Sequence, residues 1–112
     1  MLDSKELLDK LTEAVDDKRA YDIRVFDVRE TSSVSDYVIV CHGTSDRQVK
    51  AIADEVQEVA EELNIGTHIE GYREGKWVLI DVDDVIIHVF MKTEREYYNL
   101  ERLFYEGEAV EV

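Results

Sequence analysis

Proline is absent from this chain, and cysteine occurs once, at Cys41. Without proline there is no stiff polyproline spacer, and no Ser/Gly-rich linker, low-complexity tract or internal repeat announces a second domain. A lone cysteine excludes an intrachain disulfide, and its place inside an apolar run fits a reducing, cytoplasmic address. No segment approaches the roughly 20 consecutive apolar residues of a membrane-spanning helix. The start, Met1-Leu2-Asp3-Ser4-Lys5-Glu6, has neither the basic flank nor the apolar stretch of a secretory signal. Positive charge is also in short supply: 13 Lys and Arg face 27 Asp and Glu, a formal net charge of −14. Nucleic acid is held through Lys and Arg that release counterions, so no direct nucleic-acid contact is expected, and none with an anionic membrane. A field of this sign steers a chain toward a basic protein surface, or serves solubility alone.

What is present suffices for one folded domain. Over 112 residues, 45% are apolar and 36% charged, enough to close a single core and too small for two. The most telling stretch runs from Ser35 to Asp54. Tyr37-Val38-Ile39-Val40-Cys41 is a short run of β-formers, which predicts a buried strand. Gly43 gives the chain room to turn. Ser45 with Gln48 three residues on has the spacing of a capping box, and Val49, Ile52, Ala53, Val56, Ala60 and Leu63 recur at helical spacing. A helix from Ser45 to Leu63 follows, closed by Asn64 and Gly66.

The flanking segments complete an α/β pattern. Leu7, Leu8, Leu11, Ala14 and Val15 predict an amphipathic helix capped by Asp3 or Ser4. Tyr21 to Val28 reads as a strand, with Thr31-Ser32-Ser33 as a polar loop. His68 to Tyr72 and Lys76 to Asp81 read as a hairpin turning at Arg73-Glu74-Gly75. Asp83-Asp84 breaks the chain before a strand from Val85 to Met91. A last helix is expected from Thr93, with Thr93 and Glu96 at capping-box spacing and Tyr97, Leu100, Leu103 and Phe104 on one side. The domain should span residues 1–105, leaving 106–112 as an acidic tail expected to fray. The expected fold class is therefore a single α/β domain, a mixed sheet with helices packed on it.

The candidate chemistry is sparse. His42, His68, His88 and Cys41 show none of the short spacings of a zinc site, so no metal and no cofactor is expected. His88 shares a strand face with Ile86 and Phe90, which suits a histidine paired to a carboxylate at the sheet surface. Gly43-Thr44-Ser45 together with Asp81 and Asp83 resembles nucleotidyltransferase machinery, in which a turn at a helix start holds a triphosphate and alternating carboxylates hold magnesium. In those enzymes the carboxylates follow on the next strand, whereas here a helix and a hairpin intervene. No basic cluster stands ready for a triphosphate, and the aspartates also read as caps at strand ends. A nucleotide-binding or nucleotidyl-transferring enzyme using Ser45 and Asp81 is the alternative to a non-catalytic binding protein.

The segments Asp36 to Ser45, Arg47-Gln48-Val49 and Ala51 to Asp54 resemble the ribosomal silencing factor (Iojap) family. The likeness continues through Glu70-Gly71, Trp77 to Asp81, Asp84 to Phe90 and Tyr98 to Leu103, covering roughly residues 3–105. Asp83 and Phe104 depart from it, standing where glycine and tryptophan are usual. The resemblance implies a nucleotidyltransferase-like α/β fold used without catalysis, and a homodimer. It further implies binding to the large ribosomal subunit through its ribosomal protein number fourteen, which blocks joining of the small subunit and represses translation under nutrient limitation. Trp77, Asp84, His88, Tyr98 and Leu103 are the expected partner-contact residues. Trp77 is the only tryptophan and opens a strand beside a hairpin, and buried aromatics dominate interface energies. The competing assignment puts Trp77 and Leu103 in the core.

Overall fold

The computed structural model describes residues 2–104 and 108–110. The elements run α1 (Ser4–Asp17), β1 (Tyr21–Asp27), β2 (Tyr37–Gly43), α2 (Asp46–Glu62), β3 (Thr67–Glu70), β4 (Trp77–Val82), β5 (Val85–Met91), α3 (Lys92–Tyr98), a 3-10 helix (Leu100–Phe104) and β6 (Glu108–Val110). The strands form one sheet in the order β3-β4-β5-β2-β1-β6. Among the described residues only the β2–β5 pair is parallel; the other neighbours are antiparallel, so the sheet is mixed as expected.

Alternation along the strands sends side chains to two unlike faces. Val25, Ile39, Cys41, Val78, Ile80, Val82, Val85, Ile87 and Val89 point to one side and meet α1 and α2 there. Val49, Ile52, Ala53, Val56 and Ala60 of α2 are fully buried against them, and so are Leu11 and Val15 of α1. Each such Leu, Ile or Val stabilises the fold by about 1.5–3 kcal/mol relative to exposure. The other face gathers Phe26, Val28, Val38, Val40 and Phe90 in a smaller cluster. Among the described residues no long helix lies over it. Leu100 and Phe104 of the 3-10 helix cover part of it, and Trp77 packs at its border.

Capping explains the helix limits. At α1, Asp3 Oδ1 accepts from Glu6 N at 2.8 Å and Glu6 Oε1 accepts from Asp3 N at 3.3 Å, a complete box. At α2, Ser45 Oγ accepts from Gln48 N at 3.1 Å, but Gln48 Oε1 returns to Thr44 N, one residue before the cap. The C-terminus of α2 closes on Asn64 alone. Asn64 takes φ +59°, Asn64 N donates to Glu61 O and Ile65 N to Ala60 O, the paired bonds of a Schellman motif. Gly66 takes no part in the left-handed turn.

The last helix differs from expectation. β5 runs straight into α3, Met91 is the N-cap without a side-chain bond, and Thr93 already lies inside the helix with its hydroxyl on Glu94. The Thr93–Glu96 box does not form. The helix stops at Tyr98 because Asn99 turns left-handed at φ +45°, and the chain resumes as the 3-10 helix. That break divides the expected apolar side: Leu100 and Phe104 go to the core, Tyr97 and Leu103 to the surface. Of the tail expected to fray, Glu108–Val110 pair with β1 as β6; residues 106, 107, 111 and 112 lie outside the described residues.

Candidate functional site

The aromatic residues of the second face converge at one corner of the sheet. Trp77 opens β4 and pairs with Phe90 of β5, while Leu79 pairs with His88. Because side chains two apart share a face, Trp77, His88 and Phe90 stand together. Trp77 stacks on Phe90 at 5.0 Å between ring centres and meets Tyr98 of α3 at 5.0 Å. His88 stacks on Phe90 at 6.2 Å and faces Phe104 at 6.5 Å. The α3 break thus seats Tyr98 and Phe104 on either side of the Trp77–His88 pair.

One hydrogen bond fixes the chemistry of this corner. Trp77 Nε1–H donates to His88 Nδ1 at 3.1 Å, so His88 accepts there and carries its proton on Nε2. Burial pushes its pKa down to about 4, so the ring is neutral at ordinary pH. The partner of His88 is therefore an indole, not the carboxylate that the sequence suggested. A neutral histidine braced by tryptophan suits recognition by shape and a single N–H donor.

Of the five expected contact residues, three meet here. Trp77 is half-buried, His88 is 7% exposed and Tyr98 49% exposed. Leu103, 69% exposed, projects from the 3-10 helix that follows. Neither simple alternative holds for Trp77, which is part core and part surface, and Leu103 is not a core residue. Asp84 is elsewhere. It sits in the two-residue β4–β5 turn, about 20 Å along β5 from Phe90 at the usual strand rise. There it accepts from Ser4 Oγ at 3.2 Å, beside Asp36, which takes the same hydroxyl at 2.6 Å.

The Gly43 turn is closed on itself. Thr44 N and Oγ1 both donate to Gln48 Oε1, at 2.9 and 3.2 Å, and Gln48 N donates to Ser45. A Cβ on Gly43 would meet Gln48 at 3.2 Å, so that side chain fills the turn. Two amides of the turn, Thr44 N and Gln48 N, are thus engaged within the chain, and the Gln48 side chain occupies the space where a phosphate would be cradled. The carboxylates are also misplaced. Gly43 lies opposite Met91, whereas Asp81 pairs with Ile86 and Asp83 is in the turn before Val85. Turn and aspartates occupy opposite ends of the sheet, so one nucleotide cannot bridge them. Cys41 offers no nucleophile, since burial pushes its thiol up to about 12.

Arg95 is the residue that sequence reasoning missed. On α3 and 6% exposed, it donates through Nε to Glu101 Oε1 at 2.7 Å and through Nη1 to Asp22 O at 2.8 Å. Nη1 also lies 2.8 Å from His42 Nδ1, which must accept, and the stacked Tyr21 ring covers His42 at 5.7 Å. Burial, then the Arg95 charge, lowers the His42 pKa, keeping that ring neutral. Asp22 is left-handed at φ +46°, inside a bulge between Tyr21 and Arg24 that turns the carbonyl oxygens toward Arg95. The arginine therefore ties the segment bearing Tyr98 and Leu103 to the sheet.

Comparison with known proteins agrees along the chain. The family model described as "Ribosomal silencing factor during starvation" matches residues 1–112. The chain is 44% identical over 112 residues to the ribosomal silencing factor RsfS of Halalkalibacterium halodurans, covering 99% of this chain and 96% of that one. It is 48% identical over 104 residues to the ribosomal silencing factor RsfS of Bacillus subtilis, covering 92% and 88%. A crystal structure of a Chromobacterium violaceum protein, 34% identical, superposes with a TM-score of 0.90 over 98% of this chain and 92% of that one.

Proposed function

The chain belongs to the ribosomal silencing factor family, and from that premise we propose that it binds the large ribosomal subunit through ribosomal protein number fourteen. Bound there, it blocks joining of the small subunit and represses translation when nutrients are limiting, acting by steric exclusion as a cytoplasmic, non-catalytic factor. The observation that carries the reading is the half-open Trp77–His88–Tyr98 corner. Interfaces are anchored by such aromatic clusters, partly desolvated in the free protein and completed by the partner. Leu103 extends the apolar contact. Asp84, about 20 Å away on the same sheet, steers a basic partner during encounter rather than sitting at the centre.

Co-sedimentation with purified large subunits, with and without small subunits, tests it. The protein should pellet with large subunits and lower the yield of joined ribosomes. Tyr98→Ala removes a ring that is half exposed, so folding should be nearly unaffected while binding weakens about 30-fold, the equivalent of an anchor worth ~2 kcal/mol. Trp77→Phe should give an intermediate loss, because it keeps the stacking and loses the bond to His88. Unchanged binding in both variants refutes the site; absence of binding by the unmodified protein refutes the function.

A further inference from the structure

The formal charge of −14 is a sum over a chain whose charges are sorted by end. The parallel pairing of β2 with β5 puts Gly43 beside Met91, so the connections that follow both strands lie together. Lys18 and Arg19 join them, because Gln48 Nε2 donates to their carbonyl oxygens at 3.5 and 3.1 Å. Arg47 and Lys50 stand on the first turns of α2. The β3–β4 connection brings Arg73 and Lys76: a Cβ on Gly75 would stand 3.0 Å from Lys50 Cε, and Lys76 O accepts from Met91 N at 2.8 Å. Lys92 opens α3. Within residues 18–20, 44–50, 71–76 and 92–94 the opposing carboxylates are Asp46, Glu74 and Glu94. Asp17 borders the patch, and so does Asp22, which is bridged to Arg24 and Arg95. The opposite end carries Asp3, Glu30, Asp36, Asp83 and Asp84 against Lys5 and Arg29, which are themselves paired with Asp9 and Asp27.

The basic end also presents tyrosine rings. Tyr97, 81% exposed, touches Tyr98 edge-on at 5.0 Å and belongs to neither apolar cluster. Tyr21 and Tyr72 are exposed at the same end, Tyr21 with His42 stacked on one face and Tyr72 with Lys50 Nζ 5.9 Å from its ring centre and the Asp54 carboxylate near its hydroxyl. We propose that this end is a second contact surface, which takes the phosphate backbone and an unstacked base of RNA. Exposed cations meet the phosphates, the positive end of α2 adds to them, and tyrosine faces stack on bases released from pairing. An acidic peptide would use the cations but leave the rings idle. The acidic remainder acts weakly here, since the molecule is 33 Å long and charges are screened within about 10 Å at 0.1 M salt. The proposal rests on the ribosome-binding reading for where such RNA is met, and on the placement of charge for its chemistry.

Fluorescence anisotropy with a labelled RNA hairpin bearing a single-stranded loop tests it without a ribosome. Saturable binding is expected at 50 mM salt, weakening about 20- to 40-fold at 200 mM if about three phosphates are engaged. The triple variant Arg47→Glu/Arg73→Glu/Lys92→Glu should abolish binding, and its neutral counterpart with Gln should weaken it in part. Tyr97→Ala should cost at least about fivefold. Lys5→Glu/Lys10→Glu, on the far turns of α1, should change little. Circular dichroism checks that each variant is folded. No saturation by about 1 mM protein, beyond ordinary nonspecific affinity, overturns the proposal. Full binding by the charge-reversed variant, or equal affinity for polyglutamate, overturns it as well. Failure on RNA with large-subunit co-sedimentation intact removes this surface alone. Loss of co-sedimentation with RNA binding intact removes the function proposed above and leaves the RNA surface standing.

Discussion

Replacing Arg95 by methionine should cost the fold about 3 kcal/mol and loosen the segment that carries Tyr98 and Leu103. Methionine preserves much of the apolar stem, so the loss is electrostatic and hydrogen-bonding. The Glu101 carboxylate, 13% exposed, would keep only Arg24 Nε at 3.8 Å. Asp22 O and His42 Nδ1 would each lose a donor at 2.8 Å. Removing one partner of a buried ion pair costs about 3–5 kcal/mol, and residual contact with Arg24 and solvent puts this case at the lower end. For a domain of this size that is a fall in Tm of roughly 12 °C. Urea denaturation and calorimetry read it directly. The double variant Arg95→Met/Glu101→Leu should recover to within about 1.5 kcal/mol of the unmodified protein, since apolar replacement of both partners is often neutral. Large-subunit binding by Arg95→Met should fall with stability, while Tyr98→Ala should lose binding alone. A loss below about 1 kcal/mol for Arg95→Met, or a double variant weaker than the single one, refutes the idea that this arginine ties α3 to the sheet.

Three further outcomes are expected. His88 has a pKa pushed down to about 4 by burial from 6.5 when unfolded, so the unfolded chain binds more protons between those values. Its share of stability, up to roughly 3 kcal/mol, is lost as pH falls from 6.5 to about 4. His88→Gln should flatten that slope in pH-dependent urea melts, leaving the part due to His42, and parallel profiles would contradict a buried neutral His88. Asp83 opens a two-residue turn at φ +53°, where glycine is at ease, so Asp83→Gly should raise stability by a few tenths to about 1 kcal/mol; a loss would mean the carboxylate has a role the strain conceals. The free protein is expected to be a symmetric homodimer with an apolar centre that tightens with salt; sedimentation equilibrium showing a monomer at high concentration in 0.5 M salt (a screening length of roughly 4 Å) would dismiss it and leave ribosome binding untouched.

The helices and strands that local pattern specifies strongly were legible. The Tyr37–Cys41 run and the helical spacing from Val49 to Leu63 lead directly to β2 and α2 packed as expected. Where local and non-local forces compete, the residues mislead. Thr93 and Glu96 have capping-box spacing, yet β5 passes into α3 without a loop, so the cap falls at Met91. The Trp77–His88 bond depends on the register of β4 against β5, which no spacing in a single strand records. Arg95 was invisible for a like reason: two of its acceptors, Asp22 and His42, lie 73 and 53 residues away, and a bulge in β1 aims the Asp22 carbonyl at it.

The same distinction governs charge. Thirteen cations among twenty-seven anions argued against nucleic acid only while every charge counted equally wherever it stood. Beyond a Debye length they do not count equally. The parallel β2–β5 pair gathers the basic connections at one end and leaves the Asp83-Asp84 turn at the other. Whether the chain can touch an anion is therefore decided by its topology, and the total of −14 sets only how strongly salt should modulate the encounter.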